Sequence, residues 1–171
     1  MNEESDVDDA DIIWIGGPAA AGKTTVSRLL AAKYGFHCYS VDAHAFDHEK
    51  RAAAAGLHTL GTGPGDFDRR PMIIEDIQAL PVRTTVVEGA FVTPAMAGVG
   101  RNSVWLMPSE EEQVARLERR NPGGDHEGCV WGWGLVRGQL EGTGACVIVV
   151  DGQTVEETLM AVEERFCAIL G

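Results

Sequence analysis

The chain has 171 residues, 44% of them hydrophobic, which is enough for one domain with a substantial core. Its 14 basic and 26 acidic residues give a formal charge of −12, which disfavours nucleic acid and anionic membrane surfaces as partners. No apolar run approaches membrane-spanning length, and residues 1–10 are too acidic for a signal or transit peptide. We therefore expect a disordered lead-in over 1–10 and a single cytoplasmic domain over 11–171.

Apolar runs alternate with helical patterns along the chain. They are rich in Val and Ile rather than alternating with polar residues, which is typical of parallel strands covered on both faces. Five such strands are predicted, at 11–16, 36–41, 83–88, 103–107 and 145–150. Two of the intervening helices begin with capping-box spacing, at Ser109 with Glu112 and at Thr154 with Glu157. The alternation predicts a single doubly wound α/β domain.

The stretch GGPAAAGKTT, residues 16–25, lies where the first strand should become a helix, and it matches Gly-x-x-x-x-Gly-Lys-Thr. Small residues let the backbone curl so that N–H groups surround an anion, and the helix N-terminus adds its positive end. Lys23 would supply a mobile charge for the β- and γ-phosphates, and Thr24 an oxygen for Mg²⁺. The predicted nucleotide contacts are Gly17, Pro18, Ala19, Ala20, Ala21, Gly22, Lys23, Thr24 and Thr25.

An acidic residue ends each of two neighbouring predicted strands. Asp42 ends HCYSVD and Glu88 lies at the end of TTVVEG. In an open parallel sheet the ligand lies beyond the carboxyl ends of the strands, so both carboxylates should project toward the γ-phosphate. Asp42 is the candidate general base that aligns an attacking hydroxyl, and Glu88 would orient Mg²⁺ or bind the acceptor. The alternative is that each acid caps a turn.

Two segments do not fit the alternation of strands and helices. Residues 56–71 are rich in Gly and Pro and precede a short predicted helix near 72–80, and residues 121–144 are richer still in Gly. Loops of this length inside a compact domain are usually functional or disordered.

The motifs GGPAAAGKTT, SVD and VVEG, an Arg-bearing helix and a final VVDG together resemble the small P-loop kinases. This family includes shikimate and gluconate kinases, adenylate kinase and chloramphenicol phosphotransferase, and the resemblance spans most of residues 11–170. It implies five parallel strands in the order 2-3-1-4-5 with helices on both faces, and ATP or GTP with Mg²⁺ as cofactors. It also implies an acceptor-binding insert at about 43–80 and a lid at about 121–144.

The resemblance assigns roles to single residues as well. An acid after the second strand contacts the acceptor hydroxyl in several members, and Asp42 of SVDAH closely resembles the chloramphenicol phosphotransferase pattern. One arginine should stack on the base and one should reach the phosphates, for which we choose Arg120 and Arg137. Asp151 occupies the base-binding place after the last strand. Arg116 and Arg119 lie on the same helix, and the alternative for them is a solvated helix face that pairs with Glu112 and its neighbours.

The predicted lid departs from the family, because it is rich in Trp and Gly and lacks a run of arginines. Trp131 and Trp133 would either close over a ligand or pack the lid segment against the rest of the domain.

The acceptor site is less well defined by the sequence. His44 and Arg69 in the insert, together with Asp42 and Glu88, are the candidate substrate contacts, and a surface role for Arg69 is the alternative. His44 and His48 have i, i+4 spacing, but no second ligand pair at metal spacing follows, which disfavours zinc.

The functional expectation is Mg²⁺-dependent transfer of the γ-phosphoryl group of a nucleoside triphosphate to a hydroxyl of a small molecule. An antibiotic or natural product is the first choice of acceptor because of SVDAH, and a sugar or primary metabolite is the second. A nucleoside-monophosphate kinase is disfavoured because the insert has few arginines. A nucleotide-binding regulator without phosphoryl transfer is the alternative from another class. The sequence chooses neither the acceptor, nor ATP over GTP, nor an oligomeric state.

Overall fold

The structure, a computed structural model, describes residues 11–63, 67–81 and 84–171. The predicted lead-in 1–10, residues 64–66 of the first Gly/Pro-rich segment and residue 83 of the predicted third strand lie outside the described residues.

The strands form one parallel sheet in the order β2-β3-β1-β4-β5, which confirms the predicted topology. Their bounds are β1 Ile12–Gly16, β2 His37–Ser40, β3 Thr85–Gly89, β4 Ser103–Met107 and β5 Val147–Val149. The register pairs Gly16 with Gly89 and Ile15 with Glu88. The ends of β1 and β3 therefore lie side by side, and the segments that follow them open on the same edge of the sheet.

Seven helices join or follow the strands within the described residues. Their bounds are α1 Lys23–Tyr34, α2 Ala45–Ala54, α3 Arg70–Gln78, α4 Pro94–Ala97, α5 Glu110–Arg120, α6 Glu127–Leu140 and α7 Val155–Leu170. A 3-10 turn, Asp42–His44, leads from β2 into α2. The capping box predicted at Thr154 is complete, and at Ser109 the hydroxyl accepts from the Glu112 N–H. No helix within the described ranges is both long and apolar enough to cross a membrane.

The sheet separates two apolar layers. Ile12 and Trp14 of β1 face a cluster that includes Ile73 and Trp105, and Ile13 and Ile15 face the other cluster. Because successive strand side chains point to opposite faces, a run that is apolar at every position is needed to fill both layers. The exception is β5, an edge strand, where Val147 and Val149 are 42% and 61% exposed. The prediction of a sheet covered on both faces is wrong for this strand.

The reading of 121–144 as a long loop is also wrong, since α6 occupies Glu127–Leu140. Glycine disfavours a helix, and this one contains Gly128, Gly132, Gly134 and Gly138. Tertiary contacts provide the compensation: Val136 is buried in the layer that contains Trp105, and Trp133 and Leu140 pack against it. The Trp133 indole N–H also donates to the Pro108 carbonyl over 2.8 Å. Helix stability here comes from packing more than from propensity.

Candidate active site

The phosphate loop, residues 16–25, runs from the end of β1 into the first turn of α1. Two of its glycines are required by close approach of neighbouring groups. A Cβ on Gly16 would lie 2.1 Å from the Trp105 indole nitrogen, and a Cβ on Gly17 would lie 2.2 Å from the Leu106 carbonyl oxygen. Gly22 is the N-cap of α1 and has φ +87°, a conformation that favours glycine. Glycine is therefore needed at positions 16 and 17 because the loop passes close to β4, apart from any need for small residues around a bound anion.

Lys23 is buried at the start of α1, and its ammonium group donates to the Pro18 carbonyl over 2.6 Å. Burial lowers its pKa below the ordinary lysine value, the carboxylates of Asp42 and Glu88 oppose this, and Arg120 adds to it. Four residues that the sequence predicts for one site thus interact electrostatically in the structure.

Thr24 and Glu88 meet across the gap between α1 and β3. The Thr24 hydroxyl donates to Glu88 Oε2 over 3.3 Å. Glu88 is 1% exposed, and its other oxygen, Oε1, is buried without a hydrogen-bond partner among the described residues. A hydroxyl beside a carboxylate with a spare oxygen fits Mg²⁺, which binds through one or two protein oxygens together with substrate phosphates and water. The described residues contain no group of three or more His, Cys, Asp and Glu side chains placed to hold a metal.

Asp42 lies across the end of β3. Both of its carboxylate oxygens accept from the Ala90 N–H, over 2.9 and 3.0 Å. A Cβ on Gly89 would come within 2.7 Å of Asp42 Oδ1, so the strand end leaves room for this carboxylate. Asp42 is nonetheless exposed on its open side. The hydrogen bond from the Ala90 N–H is the turn-capping contact that the alternative predicts. It leaves the Asp42 carboxylate accessible to a ligand.

Arg69 is buried, with 2% of its surface exposed, so the predicted surface alternative is wrong. Its guanidinium lies over the rings of Phe67 and Phe91 at 4.3 and 4.4 Å, and Glu49 is 3.8 Å away. Burial lowers the pKa of Arg69, and Glu49 and then Asp42 oppose this. The structure therefore brings Arg69 into the electrostatic range of Asp42.

His44 follows Asp42 in the 3-10 turn and is half-buried. Its Nδ1 lies 2.7 Å from the Ser40 carbonyl, and its ring stacks on Tyr39 with centroids 4.4 Å apart. His48 is fully buried, with Nε2 at 3.0 Å from the Tyr39 hydroxyl and 3.3 Å from Asp76. The two histidines are thus held by polar groups of β2 and by Asp76 of the insert. Asp76 is not among the residues predicted from the sequence, where it stands beside Glu75 within the otherwise apolar run MIIEDI of α3.

A cleft of about 470 Å³ opens beside the phosphate loop, between the end of α5 and the start of α7. Arg120 lines it and, among the described residues, makes no hydrogen bond or ion pair. The other lining residues include Gly22, Thr25, Arg119, Gln153, Thr154 and Thr158. Gln153 and Thr154 are not among the contacts predicted from the sequence, although they follow Asp151 in the same loop.

The Asp151 side chain is used within the fold. It accepts from the Ser109 N–H over 2.7 Å, and its hydrogen bonds with Ser109 hold the pKa of Asp151 below its ordinary value. This contact ties the loop after β5 to the N-terminus of α5.

Arg137 is the predicted residue that the structure does not bring to the phosphate loop. It is 62% exposed, lies 3.6 Å from Glu141 on the same helix, and covers the Trp133 ring at 5.5 Å. Trp131 is 70% exposed, whereas Trp133 packs α6 against the core. The alternative that these tryptophans pack the segment against the domain therefore holds for Trp133 and not for Trp131.

One curated protein and several solved structures are similar to this chain. No protein-family model matches the sequence. A cytidylate kinase from Sinorhizobium medicae (strain WSM419) is 30% identical over 108 residues, which are 63% of this chain and 46% of that protein. The match thus spans about half the length of this curated relative.

Solved structures align over nearly the whole chain. A gluconokinase from Sinorhizobium meliloti 1021 superposes with a TM-score of 0.59 at 16% identity, covering 94% of both chains. The Deinococcus radiodurans tunicamycin resistance protein also gives 0.59 at 16% identity, over 90% of this chain and 94% of its own. Shikimate kinase from Bacteroides thetaiotaomicron gives 0.55 at 16% identity, over 90% and 96%. The chain therefore has the fold of the P-loop kinases, as its resemblance to that family predicts.

Proposed function

We propose that this protein is a phosphotransferase that moves the γ-phosphoryl group of ATP or GTP, with Mg²⁺, to a hydroxyl of a small molecule. The observation that carries the proposal is the convergence of Lys23, Thr24, Asp42 and Glu88 at one edge of the sheet. Phosphoryl transfer depends mainly on positioning and electrostatic stabilisation, and these side chains provide both.

Each of these residues has a distinct role. The phosphate loop and Lys23 bind and polarise the β- and γ-phosphates, so that the charge formed in the transition state is neutralised. Thr24 and Glu88 would hold Mg²⁺, which neutralises phosphate charge when bound. Asp42 orients the acceptor hydroxyl in line with the γ-phosphorus and takes its proton.

The nucleotide base fits the cleft between Arg120 and the loop that follows β5. A planar guanidinium without a protein partner is suited to stacking on a base. Arg137 would reach the phosphates only after α6 moves, so its role in the proposal depends on closure of the segment 121–144 as a lid.

The acceptor is expected in the insert 43–80, beside Asp42, His44 and Arg69. A small hydroxylated compound is proposed because, among its described residues, the insert places the buried guanidinium of Arg69 near Asp42, between the short helices α2 and α3. An antibiotic or natural product remains the first choice, from SVDAH, and the tunicamycin resistance protein among the structural neighbours supports it. Gluconokinase and shikimate kinase support a sugar or other metabolite equally well.

A nucleotide acceptor, which the few arginines of the insert disfavour, is a further candidate because of the local similarity to a cytidylate kinase. A panel of acceptors separates these possibilities: hydroxylated antibiotics, sugars and sugar acids, and nucleoside monophosphates including CMP. We expect acceptor-stimulated release of ADP or GDP with one hydroxylated compound, and its loss in Lys23→Ala. Stimulation by CMP alone would favour the nucleotide acceptor. Slow nucleotide turnover that no acceptor changes would favour a regulator.

A further inference from the structure

Helix α5 contacts the outside of the phosphate loop through two polar side chains. Gln113 Nε2 donates to the Ala19 carbonyl over 3.0 Å, and Arg116 Nη1 donates to the Ala20 carbonyl over 3.2 Å. In a peptide unit the C=O and the following N–H point in opposite directions. Holding these two carbonyls against α5 therefore turns the N–H groups of Ala20 and Ala21 away from α5.

The loop conformation requires this external support. Ala20 has φ +62°, and it is the only described residue other than glycine with a positive φ. A Cβ disfavours this region, and residues that adopt it persist where the surrounding structure holds them there. The carbonyl that Arg116 holds belongs to this same residue.

Gln113 serves two segments with one amide group. It is fully buried, and its Nε2 also donates to the Cys129 carbonyl of α6 over 3.2 Å. Its Oε1 is buried without a hydrogen-bond partner among the described residues. An unpaired buried oxygen is costly, so Gln113 makes its two donated hydrogen bonds at a cost in stability.

Arg116, one turn further along α5 on the same side, makes a comparable connection. Its Nη2 donates to the Val150 carbonyl, just after β5, over 3.0 Å, and its Nε donates to Glu112 over 2.7 Å. The predicted pairing with Glu112 is present, but two of the three contacts of Arg116 are with backbone carbonyls. Arg116 thus joins the phosphate loop to the segment after β5, whose residues Gln153 and Thr154 line the cleft.

We propose that Gln113 and Arg116 are positioning residues that keep the phosphate loop in its anion-binding shape before any ligand arrives. The proposal rests on the proposed function in that the ligand is a triphosphate. Preorganised donors bind a developing charge without reorganisation, so losing this support should weaken phosphate binding. Because Gln113 also contacts α6, the same side chain makes the loop sensitive to the position of that helix.

The test compares Gln113→Met with Leu117→Met, a matched control one turn further along the same helix. Methionine keeps much of the length of glutamine but donates no hydrogen bond, and Leu117 is buried without any polar contact to the loop. Without ligand, hydrogen exchange across residues 16–25 should accelerate by about tenfold in Gln113→Met, as expected from the loss of one or two net hydrogen bonds. Exchange across 84–90, which contains β3, should stay unchanged in both variants.

Binding provides the second readout. Affinity for inorganic tripolyphosphate, and for ATP or GTP, should fall by about tenfold in Gln113→Met and remain near wild type in Leu117→Met. Arg116→Met, at a half-buried position, gives the same test on the Ala20 carbonyl if Gln113→Met does not fold. Unchanged exchange at 16–25, or equal acceleration at 84–90, would overturn the positioning role. If the wild type binds no triphosphate, the proposed function fails, while the exchange comparison still decides whether α5 supports the loop.

Discussion

The Thr24 hydroxyl donates to the Glu88 carboxylate over 3.3 Å, although 64 residues separate the two along the chain. Glu88 reaches this position because β1 and β3 pair in a register that places it next to Ile15, just before the phosphate loop. Its second oxygen remains buried and without a hydrogen-bond partner among the described residues, which is the arrangement expected of a group that completes its contacts through a cation.

Replacing Glu88 by glutamine tests this cation site. Glu88→Gln keeps the shape and removes the negative charge, so the Mg²⁺ concentration needed for half-maximal nucleotide turnover should rise by about tenfold or more. Stability to urea should not fall, because neutralising a buried and incompletely paired carboxylate removes a desolvation cost. Glu110→Gln, an exposed carboxylate on α5, is the control. An unchanged Mg²⁺ dependence in Glu88→Gln would assign Glu88 to acceptor binding or to structure.

Lys23→Ala removes the buried cation of the phosphate loop. Nucleotide turnover should fall by roughly 10²–10³-fold, the size of effect expected when one preorganised charge-stabilising donor is lost. The fold should persist, because burial disfavours the charged form of Lys23 even in the wild type. Lys33→Ala on the exposed side of the same helix provides the comparison for acceptor-stimulated turnover. Near-wild-type turnover in Lys23→Ala would show that the loop does not bind the reacting phosphates.

Asp42→Asn separates alignment of the acceptor from nucleotide binding. The amide oxygen of asparagine can still accept from the Ala90 N–H, so the local structure should be kept. The transfer rate should drop by roughly 10²–10⁴-fold while nucleotide affinity stays close to wild type. Asp47→Asn, an exposed aspartate on α2, controls for loss of charge. Equal losses of affinity and rate would assign Asp42 to metal binding or to structure.

The lid hypothesis for 121–144 predicts changes on ligand binding. A non-hydrolysable nucleotide plus acceptor should change the fluorescence of exposed Trp131 and slow hydrogen exchange across this segment. Arg137→Ala should lower the transfer rate more than acceptor affinity, since Arg137 would reach the phosphates only in the closed state. Arg101→Ala, on the exposed turn before β4, is the control. A segment already protected without ligand, together with a silent Arg137→Ala, would make α6 a packed structural helix.

The buried His48 predicts a pH dependence of stability. Burial lowers its pKa below the ordinary histidine value, and contact with Asp76 opposes this. The unfolded chain then binds a proton more readily than the native state, so stability is fully present above the unfolded pKa of about 6.5 and is lost as pH falls below it. The urea midpoint should decrease from pH 7.5 to pH 5, and less steeply in His48→Gln. His37→Gln is the control, and an unchanged slope in His48→Gln would contradict the prediction.

Local patterns in the sequence were sufficient for the phosphate loop and for the sheet. The loop is readable because backbone curling and anion binding require small residues and one lysine at fixed spacing. The strands are readable because a parallel strand buried on both faces must be apolar at every position, as Ile12–Ile15 are. Strand order followed from the resemblance to P-loop kinases, and the structure confirms it.

Other features were determined only by the tertiary structure, because their sequence pattern was weak or their contacts join distant parts of the chain. The glycines of α6 argued for a loop, and packing of Val136 and Trp133 against the core outweighed them. The sequence did not decide whether Arg69 lies on the surface or in the acceptor site. In the structure its guanidinium lies over the rings of two phenylalanines and is buried. Gln113 looked like one polar residue on a charged helix, yet it bonds to Ala19 across 94 residues of chain. Such contacts depend on how whole helices pack, and no local spacing encodes that.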